Sequence, residues 1–224
     1  MMNAQDGQAH PIEKEPENIV EGAEQAEVEA TVSLARHSDH PAIRTLAILS
    51  EISDQPPAFT LASVAGLAGL LFGNKRLAQA GLRSVAALGA ATATKAVVKA
   101  SVTRTRPFVL RDHGHYDRRT GGPNDGPWNS FPSGHTANAF AGGRAISRVY
   151  PQATVPLMVA ATAIAAVQVP RGSHYPSDLL GGIVVGLLTE AAVNRVWPKA
   201  VGEDEGDATI APRSRNLASA EGAH

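Results

Sequence analysis

The chain has 224 residues, a length that suits one domain with tails. It contains no cysteine, which excludes disulfide frameworks, cysteine-ligated metals and thiol nucleophiles. A formal net charge of −1 and a mean hydropathy of −0.10 by themselves indicate neither a nucleic-acid-binding protein nor a polytopic membrane protein.

This near-zero net charge averages over three segments of opposite sign. Residues 1–30 hold eight acids and one base, and residues 201–224 hold five acids and two bases. The intervening segment 31–200 therefore carries a net charge of +9. Because neither end shows hydrophobic periodicity, we expect disordered acidic tails at 1–29 and 201–224, on either side of a helical domain at 30–200.

The middle segment is predicted to be mostly helical. Residues 30–53 mix apolar and charged positions, which predicts an amphipathic helix, broken near Pro41, that lies on a surface or an interface. Residues 58–73 and 153–169 carry no charged side chain and approach the length that spans lipid. Further helices are predicted at 77–99, 134–150 and 179–197, and a long polar loop at 100–132.

The fold class that this pattern predicts is an all-α bundle of five to six helices, embedded in a membrane. There is little alternation of the kind that strands show, and alanine is abundant. The pairs Gly69–Gly73 and Gly182–Gly186 have the spacing that lets helices approach closely in lipid. A helical bundle in water is the alternative, because helices buried in protein are also apolar on all sides.

Three polar clusters fall at helix ends that the alternation of helices brings to one end of the bundle. They cover residues 99–107, 131–136 and 169–178. Ser133 and Gly134 begin a helix, where free backbone N–H groups and the helix dipole favour an anion. Lys99 and Arg106 add fixed positive charge to the same end. Taken singly, each of these residues is typical of a helix cap or a flanking charge.

Two imidazoles and a carboxylate complete this set. His135 and His174 are placed so that one attacks phosphorus while the other protonates the leaving oxygen. Asp178, four residues after His174, is able to hold one ring nitrogen and leave the other as nucleophile. Together with the cations, these residues indicate phosphoryl transfer that requires no metal.

The loop 108–130 contains two further histidines between two aspartates, a pattern that allows a metal site or a solvated loop. Trp128 and Phe131 are candidates to line the entrance for an acyl or isoprenyl chain. The loop residues in question are Asp112, His113, His115 and Asp117.

At the three clusters the chain resembles the type 2 phosphatidic acid phosphatase superfamily, which also includes bacterial acid phosphatases and vanadium haloperoxidases. Its signature is Lys-x6-Arg-Pro, then Pro-Ser-Gly-His, then Ser-Arg-x5-His-x3-Asp. Here the first part is matched by Lys99 and Arg106-Pro107, the second by residues 132–135, and the end of the third by His174 and Asp178. The resemblance covers residues 99–178.

One departure affects the third motif. The family arginine corresponds to Gln168, which is able to donate hydrogen bonds to phosphate but brings no charge. Arg171 lies three residues before His174, and our hypothesis is that it takes the vacant place. Arg104 and Arg111 are further candidate cations at the same mouth.

The resemblance implies a role for each matched residue. His174 forms the phosphohistidine, His135 acts as acid and then as base, and Asp178 orients His174. The residues implied in phosphate binding are Lys99, Arg106, Ser133 and Gly134, with Gln168 and Arg171 as further candidates.

The implied function is hydrolysis of a lipid phosphate or diphosphate monoester without a metal or other cofactor, and without a nucleic-acid partner. The implied location is a bacterial-type inner membrane, crossed several times, with the active site facing the periplasm. Two alternatives stay open: a catalytically weakened phosphate- or lipid-binding membrane protein, which Gln168 favours, and a vanadate-dependent peroxidase on the same site.

Overall fold

A computed structural model describes residues 16–122 and 126–197, and this part of the chain is mostly helical. Eight α-helices and one two-stranded antiparallel sheet are seen within it. The elements are α1 (Pro16–Ala35), α2 (Pro41–Ser50), α3 (Gln55–Leu71), α4 (Lys75–Ser101), β1 (Val102–Arg104), α5 (Pro107–His113), β2 (Arg118–Thr120), α6 (Gly134–Val149), α7 (Thr154–Val167) and α8 (Pro176–Val196).

Helices α3, α4, α6, α7 and α8 form the bundle, and small residues set how closely they pack. Gly69 and Gly81 lie in the contact between α3 and α4, where an added Cβ would come within 2.2 Å of backbone atoms of the facing helix. Gly182 and Gly186 have the same function where α8 crosses α6. The core between α4 and α6 is likewise built from buried alanines, so backbones approach closely throughout.

The outer faces of three helices are apolar and exposed. Leu67 on α3, Val159 on α7 and Leu188 on α8 are each more than half exposed, as are several of their apolar neighbours. By length and hydropathy, α8 is the one helix of the described part that is long and apolar enough to cross a membrane. Helix α3 and residues 151–167 are shorter apolar helical segments. An exposed apolar belt of this kind marks a surface that contacts another apolar phase.

The structure confirms the predicted all-α bundle and corrects several details within it. The predicted amphipathic segment at 30–53 has its break before Pro41, as expected, and consists of the end of α1, helix α2 and a short 3₁₀ turn. The predicted loop at 100–132 contains helix α5 and the strand pair, in which Thr103 lies opposite Arg119. Gly73 takes no part in helix contact, because it ends α3 with a φ of +69° and nothing lies within 4 Å of its Cβ position.

The predicted N-terminal tail is wrong from residue 16 onward. Residues 16–29 belong to α1. Acidic side chains of that helix bind arginines of the polar loop. These ion pairs join α1 to the rest of the protein, although its sequence has no apolar periodicity. Residues 1–15 and the predicted tail at 201–224 lie outside the described residues.

Candidate active site

The three polar clusters meet at one end of the bundle, as the helix alternation predicted. The backbone N–H of Ser133 donates to the carbonyl of Asp178 at 3.0 Å, which joins the start of α6 to the start of α8. The Arg106 guanidinium donates to the carbonyl of Ser173 at 3.5 Å, and the Lys99 ammonium donates to the carbonyl of Asn129. These contacts link residues from 30 to 67 positions apart in sequence.

His174 lies in the driest part of the site. It is 1% exposed, and its backbone N–H donates to the carbonyl of Gln168 at 3.2 Å. Its Nδ1 is 3.7 Å from Oδ2 of Asp178, a distance that is longer than a hydrogen bond and that leaves Nδ1 without a partner. Burial lowers the pKa of the imidazole to about 4, although Asp178 acts in the opposite direction. The ring is therefore neutral at neutral pH, the state in which it is nucleophilic.

Arg104 holds the carboxylate beside this histidine. One guanidinium nitrogen is 2.7 Å from Oδ1 of Asp178, and the group stacks over the Tyr175 ring with its central carbon 4.1 Å from the ring centroid. Burial disfavours the charged form of Arg104, but Asp178, Tyr116 and Glu27 together outweigh burial and raise its pKa. The sequence indicated Arg104 as a cation at the site mouth, whereas the structure places it behind Asp178.

Helix α1 contacts the site on the side where Arg104 binds Asp178. Glu27 accepts from the Arg104 guanidinium at 2.9 Å and from the Ser177 hydroxyl at 2.8 Å. Glu24 accepts from the Tyr116 hydroxyl and pairs with Arg118. No motif in the sequence indicated either glutamate. Their three-residue spacing, which puts both carboxylates on one face of a helix, is the signal that points to them.

His135 lies in a more open part of the site. Its side chain is 17% exposed, and its Nε2 is 3.4 Å from Oε2 of Glu51, which follows α2. The other oxygen of Glu51 forms an ion pair with Arg171. Burial raises the pKa of the Glu51 carboxyl, but the contacts with Arg171 and His135 outweigh it and hold that pKa below its usual value. Glu51 is a site residue that no motif in the sequence indicated.

Gln168 does not direct its donors to the phosphate site. Its side chain is fully buried, and Nε2 donates to the Ser50 hydroxyl at 3.0 Å and to the Ile164 carbonyl at 3.1 Å. Both amide hydrogens are therefore used inside the protein. This geometry argues against Gln168 as a phosphate ligand. Its side chain instead joins the end of α7 to the end of α2.

The predicted anion-binding residues lie at the start of α6 and around it. Ser133 is fully buried and caps α6, since its hydroxyl accepts from the Thr136 backbone N–H at 3.4 Å. A Cβ at Gly134 would lie 3.0 Å from the Lys95 ammonium, so a second lysine approaches this helix start. Burial lowers the pKa of Arg106, which Arg171 reinforces by repulsion. Lys99 is likewise repelled by Arg106 and Lys95, so several cations converge here.

The polar loop provides no metal cluster within its described residues. Asp112 pairs with Arg111, and Asp117 pairs with Arg119 at 3.2 Å. Arg111 donates to Ser38 and to the Ala35 carbonyl, so it ties α5 to the end of α1 and not to the site. In residues 16–122 and 126–197, the ligating side chains close enough to share one ion are Glu51, Asp54 and His135.

The aromatic residues of this region have different positions. His115 contacts Trp128 edge to face, with ring centroids 5.4 Å apart. The Phe131 ring packs against Gly181, where an added Cβ would come within 2.6 Å of it. Phe131 therefore helps to fix α8 against the start of α6.

The fold and the site together define a class: an all-α membrane-type bundle that gathers two histidines, a buried carboxylate and several cations at one end. Residues 80–201 match the model of the PAP2 superfamily, and this chain belongs to that superfamily. The family resemblance carried by the three motifs is thereby confirmed.

Two curated relatives are similar to the chain over part of its length. The lipid A 1-phosphatase of Rhizobium etli is 30% identical over 90 residues, which are 40% of this chain and 38% of the relative. The lipid A 1-phosphatase of Rhizobium johnstonii is 30% identical over 92 residues, 40% of this chain and 36% of the relative. The matched segments thus span less than two fifths of these relatives.

A solved structure is similar over nearly the whole fold. The transmembrane PAP2 type phosphatidylglycerolphosphate phosphatase from Bacillus subtilis aligns with a TM-score of 0.55 at 21% identity, over 88% of this chain and 90% of that one. At this level of identity the likeness establishes the fold, which is that of a membrane protein.

Proposed function

We propose that this protein hydrolyses a lipid phosphate or diphosphate monoester through a phosphohistidine intermediate, without a required metal. The observation that carries the proposal is the convergence of His174, neutral and buried beside Asp178, with the more open His135 at an end rich in cations. The names of the relatives, lipid A 1-phosphatase and phosphatidylglycerolphosphate phosphatase, support a lipid phosphate as the substrate.

The first step follows from this arrangement. The His174 imidazole attacks phosphorus through the ring nitrogen that does not face Asp178, and a P–N bond forms as the P–O bond to the lipid breaks. His135 gives its proton to the departing oxygen. As positive charge develops on the His174 ring, the contact of Nδ1 with Asp178 shortens and stabilises it.

The second step returns the site to its starting state. His135, now neutral, takes a proton from water while the water oxygen attacks phosphorus and the P–N bond breaks. Inorganic phosphate leaves, and His174 is again neutral. In both steps Lys99, Arg106 and the backbone N–H groups at the start of α6 stabilise the charge on the phosphoryl oxygens.

A groove between α3 and α7 supports a lipid as the substrate. It encloses about 400 Å³, has α4 and α6 as its floor, and no charged side chain lines it. Ser53 and Asn138 lie at its end nearest the site, and Leu77 and Tyr150 lie at the other end. Along α6 this distance is about 18 Å at 1.5 Å per residue, which suits a single acyl or isoprenyl chain.

Phosphate release by the purified protein tests the proposal. The substrates are long-chain phosphatidic acid, phosphatidylglycerol phosphate, lipid A 1-phosphate, a prenyl diphosphate and a short-chain phosphatidic acid. We expect release from at least one long-chain substrate in the presence of a chelator. No release from any substrate, with retained binding of inorganic phosphate, would support the weakened binding protein; halide oxidation that depends on vanadate would support the peroxidase.

A variant that fills the groove tests whether the chain of the lipid lies there. Gly142→Leu projects into the groove, where the nearest atom to an added Cβ is Cδ2 of Leu88 at 3.8 Å. We expect turnover of the long-chain substrate to fall about tenfold, as for a filled apolar pocket, and turnover of the short-chain substrate to stay unchanged. Gly89→Leu on α4 is the control, because its Cβ position is open and does not line the groove.

We further propose that the bundle crosses the inner membrane several times with the site on the outer face. The apolar belt of α3, α7 and α8 supports the spans. Because the chain has no cysteine, Arg119→Cys introduces a unique thiol near the site. Labelling by a membrane-impermeant maleimide in intact cells is expected; labelling that needs lysed cells would reverse the orientation.

A further inference from the structure

Glu51 contacts two groups of the site at once. Its Oε2 is 3.4 Å from Nε2 of His135, and its Oε1 forms an ion pair with Arg171. The three side chains come from three different parts of the chain: the turn after α2, the start of α6 and the loop before α8. Among the ion pairs of the described residues, Glu51 is the carboxylate that pairs with both His135 and an arginine.

The serines on either side of Glu51 accept hydrogen bonds from buried amide side chains. Gln168 donates to the Ser50 hydroxyl at 3.0 Å, and Asn138 donates to the Ser53 carbonyl at 3.1 Å. Both amide side chains are at most 2% exposed. Because these bonds fix the position of the turn, they keep the Glu51 carboxylate within reach of its two partners.

One of these two amides belongs to Gln168, the residue that departs from the third motif. Gln168 stands where the family motif has arginine, and its amide holds the Glu51 turn instead of reaching the site. Arg171 is held by Glu51 and is close enough to Arg106 to lower the pKa of that guanidinium. A cation is thus kept at the mouth although the motif position is neutral.

We propose that Glu51 is a positioning residue for the hydrolysis, which orients His135 and keeps Arg171 at the phosphate site in place of the motif arginine. The inference rests on the proposed function. A carboxylate on one ring nitrogen fixes the ring and its tautomer, which leaves the other nitrogen to move the proton. The same carboxylate balances the charge that His135 carries when it acts as an acid.

Other charged groups also face His135, and the test must separate them from Glu51. Asp54 lies on the same turn, with a carboxylate oxygen within 4.8 Å of the ligating atoms of Glu51 and His135. Arg171 faces the ring from the loop before α8, and Lys95 approaches the neighbouring Gly134 from α4. Asp54→Asn is therefore the matched control, because it removes an equal charge from the same turn without breaking the contacts of Glu51.

Steady-state kinetics of Glu51→Gln provide the first test. We expect kcat to fall about tenfold to a hundredfold, and the basic limb of the pH–rate profile to move to lower pH, because the protonated ring loses its neighbouring charge. Glu51→Asp retains the charge and should recover part of kcat, and Asp54→Asn should have the smaller effect. Wild-type kcat and an unmoved profile in Glu51→Gln would overturn the proposal.

A double-mutant comparison tests the part that concerns Arg171. Arg171→Gln should raise KM and weaken inhibition by inorganic phosphate about tenfold, as for the loss of one charge-assisted contact. If Glu51 holds Arg171 in place, the same substitution costs much less in the Glu51→Gln background. Wild-type KM in Arg171→Gln, or equal costs in both backgrounds, would remove Arg171 from the inference.

A measurement that needs no turnover separates this inference from the proposed function. The ¹⁵N resonances of His135, assigned by their loss in His135→Asn, report the tautomer and the titration of that ring. We expect both to change in Glu51→Gln and to change little in Asp54→Asn. Absence of phosphate release from the wild-type protein would refute the proposed function alone, whereas unchanged ¹⁵N resonances in Glu51→Gln would refute the positioning of His135.

Discussion

The two histidines of the site have the same kinds of neighbour but different access to water. His174 has Asp178 and Arg104 beside it, and these three side chains are at most 5% exposed. His135 has Glu51 and Arg171, and these three side chains are 17% to 40% exposed. A nucleophile is best kept neutral and dry, whereas an acid and base must exchange its proton with water. The difference in burial therefore matches the difference in proposed role.

Burial also decides how much each ion pair contributes to stability. The pair between Arg104 and Asp178 is removed from water, so loss of Arg104 leaves the buried Asp178 carboxylate without its arginine partner. The pair between Glu51 and Arg171 is open to solvent, and pairs of that kind contribute little to stability. Loss of the first ion pair is consequently expected to reduce the free energy of unfolding more than loss of the second.

Removal of the buried histidine, His174, is expected to have the largest effect on phosphate release. His174→Ala should reduce phosphate release by at least about 10³-fold, because no nucleophile replaces the ring. Rapid quenching with a radiolabelled substrate should show an acid-labile phosphoenzyme in the wild-type protein and none in the variant. His113→Ala, in the polar loop, is the control and should keep wild-type turnover. A phosphoenzyme on any residue other than His174 would contradict the assignment.

Next in size is the loss of the buried arginine. Arg104→Gln leaves Asp178 uncompensated and should lower the free energy of unfolding by about 3–5 kcal/mol. Arg118→Gln removes an arginine that is about half exposed and also binds α1, and should cost less than about 1 kcal/mol. Denaturant titration in detergent measures both. Equal losses in the two variants would mean that burial does not distinguish the two arginines.

The smallest expected effect is a pH dependence of stability that arises from the buried His174. The pKa of His174 is about 4 in the folded protein, compared with the ordinary value of 6.5 for an imidazole in the unfolded chain. Between these values the unfolded chain binds a proton that the folded chain does not, so stability falls as the pH is lowered from about 6.5 to about 4. The slope is at most about 1.4 kcal/mol per pH unit.

This slope should be missing in His174→Asn. The difference in unfolding free energy between the wild-type protein and the variant is therefore expected to decrease as the pH falls through that window. Unfolding followed in parallel for both proteins measures it, and parallel curves would show that His174 is not held neutral by burial.

The bundle and most of the site could be predicted because their signals are local. Uncharged apolar runs predicted α3 and α7, and the three motifs lie at helix ends that the alternation of helices brings together. Within each motif the spacing of residues such as His174 and Asp178 is short, so the chemistry is visible without knowledge of the fold.

The residues that the sequence did not reveal act over long separations. Glu51 is 84 positions from His135 and 120 from Arg171, and no pattern at that range distinguishes one glutamate from another. Residues 16–29 of α1 were missed for a related reason, because carboxylates and not an apolar stripe join them to the site. Gln168 was expected to face the phosphate, and only its contact with Ser50 shows that it supports the site from outside.

The contact between Glu27 and Ser177 joins residues that are 150 positions apart in sequence. Because a ribosome makes the chain from its N-terminus, Glu27 emerges long before either Ser177 or the proposed nucleophile His174 is made. The arginine that Glu27 binds is made partway through synthesis, but the Asp178 carboxylate that completes the group arrives only with the last helix. Assembly of α8 is thus the step that completes the proposed site, and under the proposed function a growing chain is not expected to hydrolyse a lipid phosphate before that step.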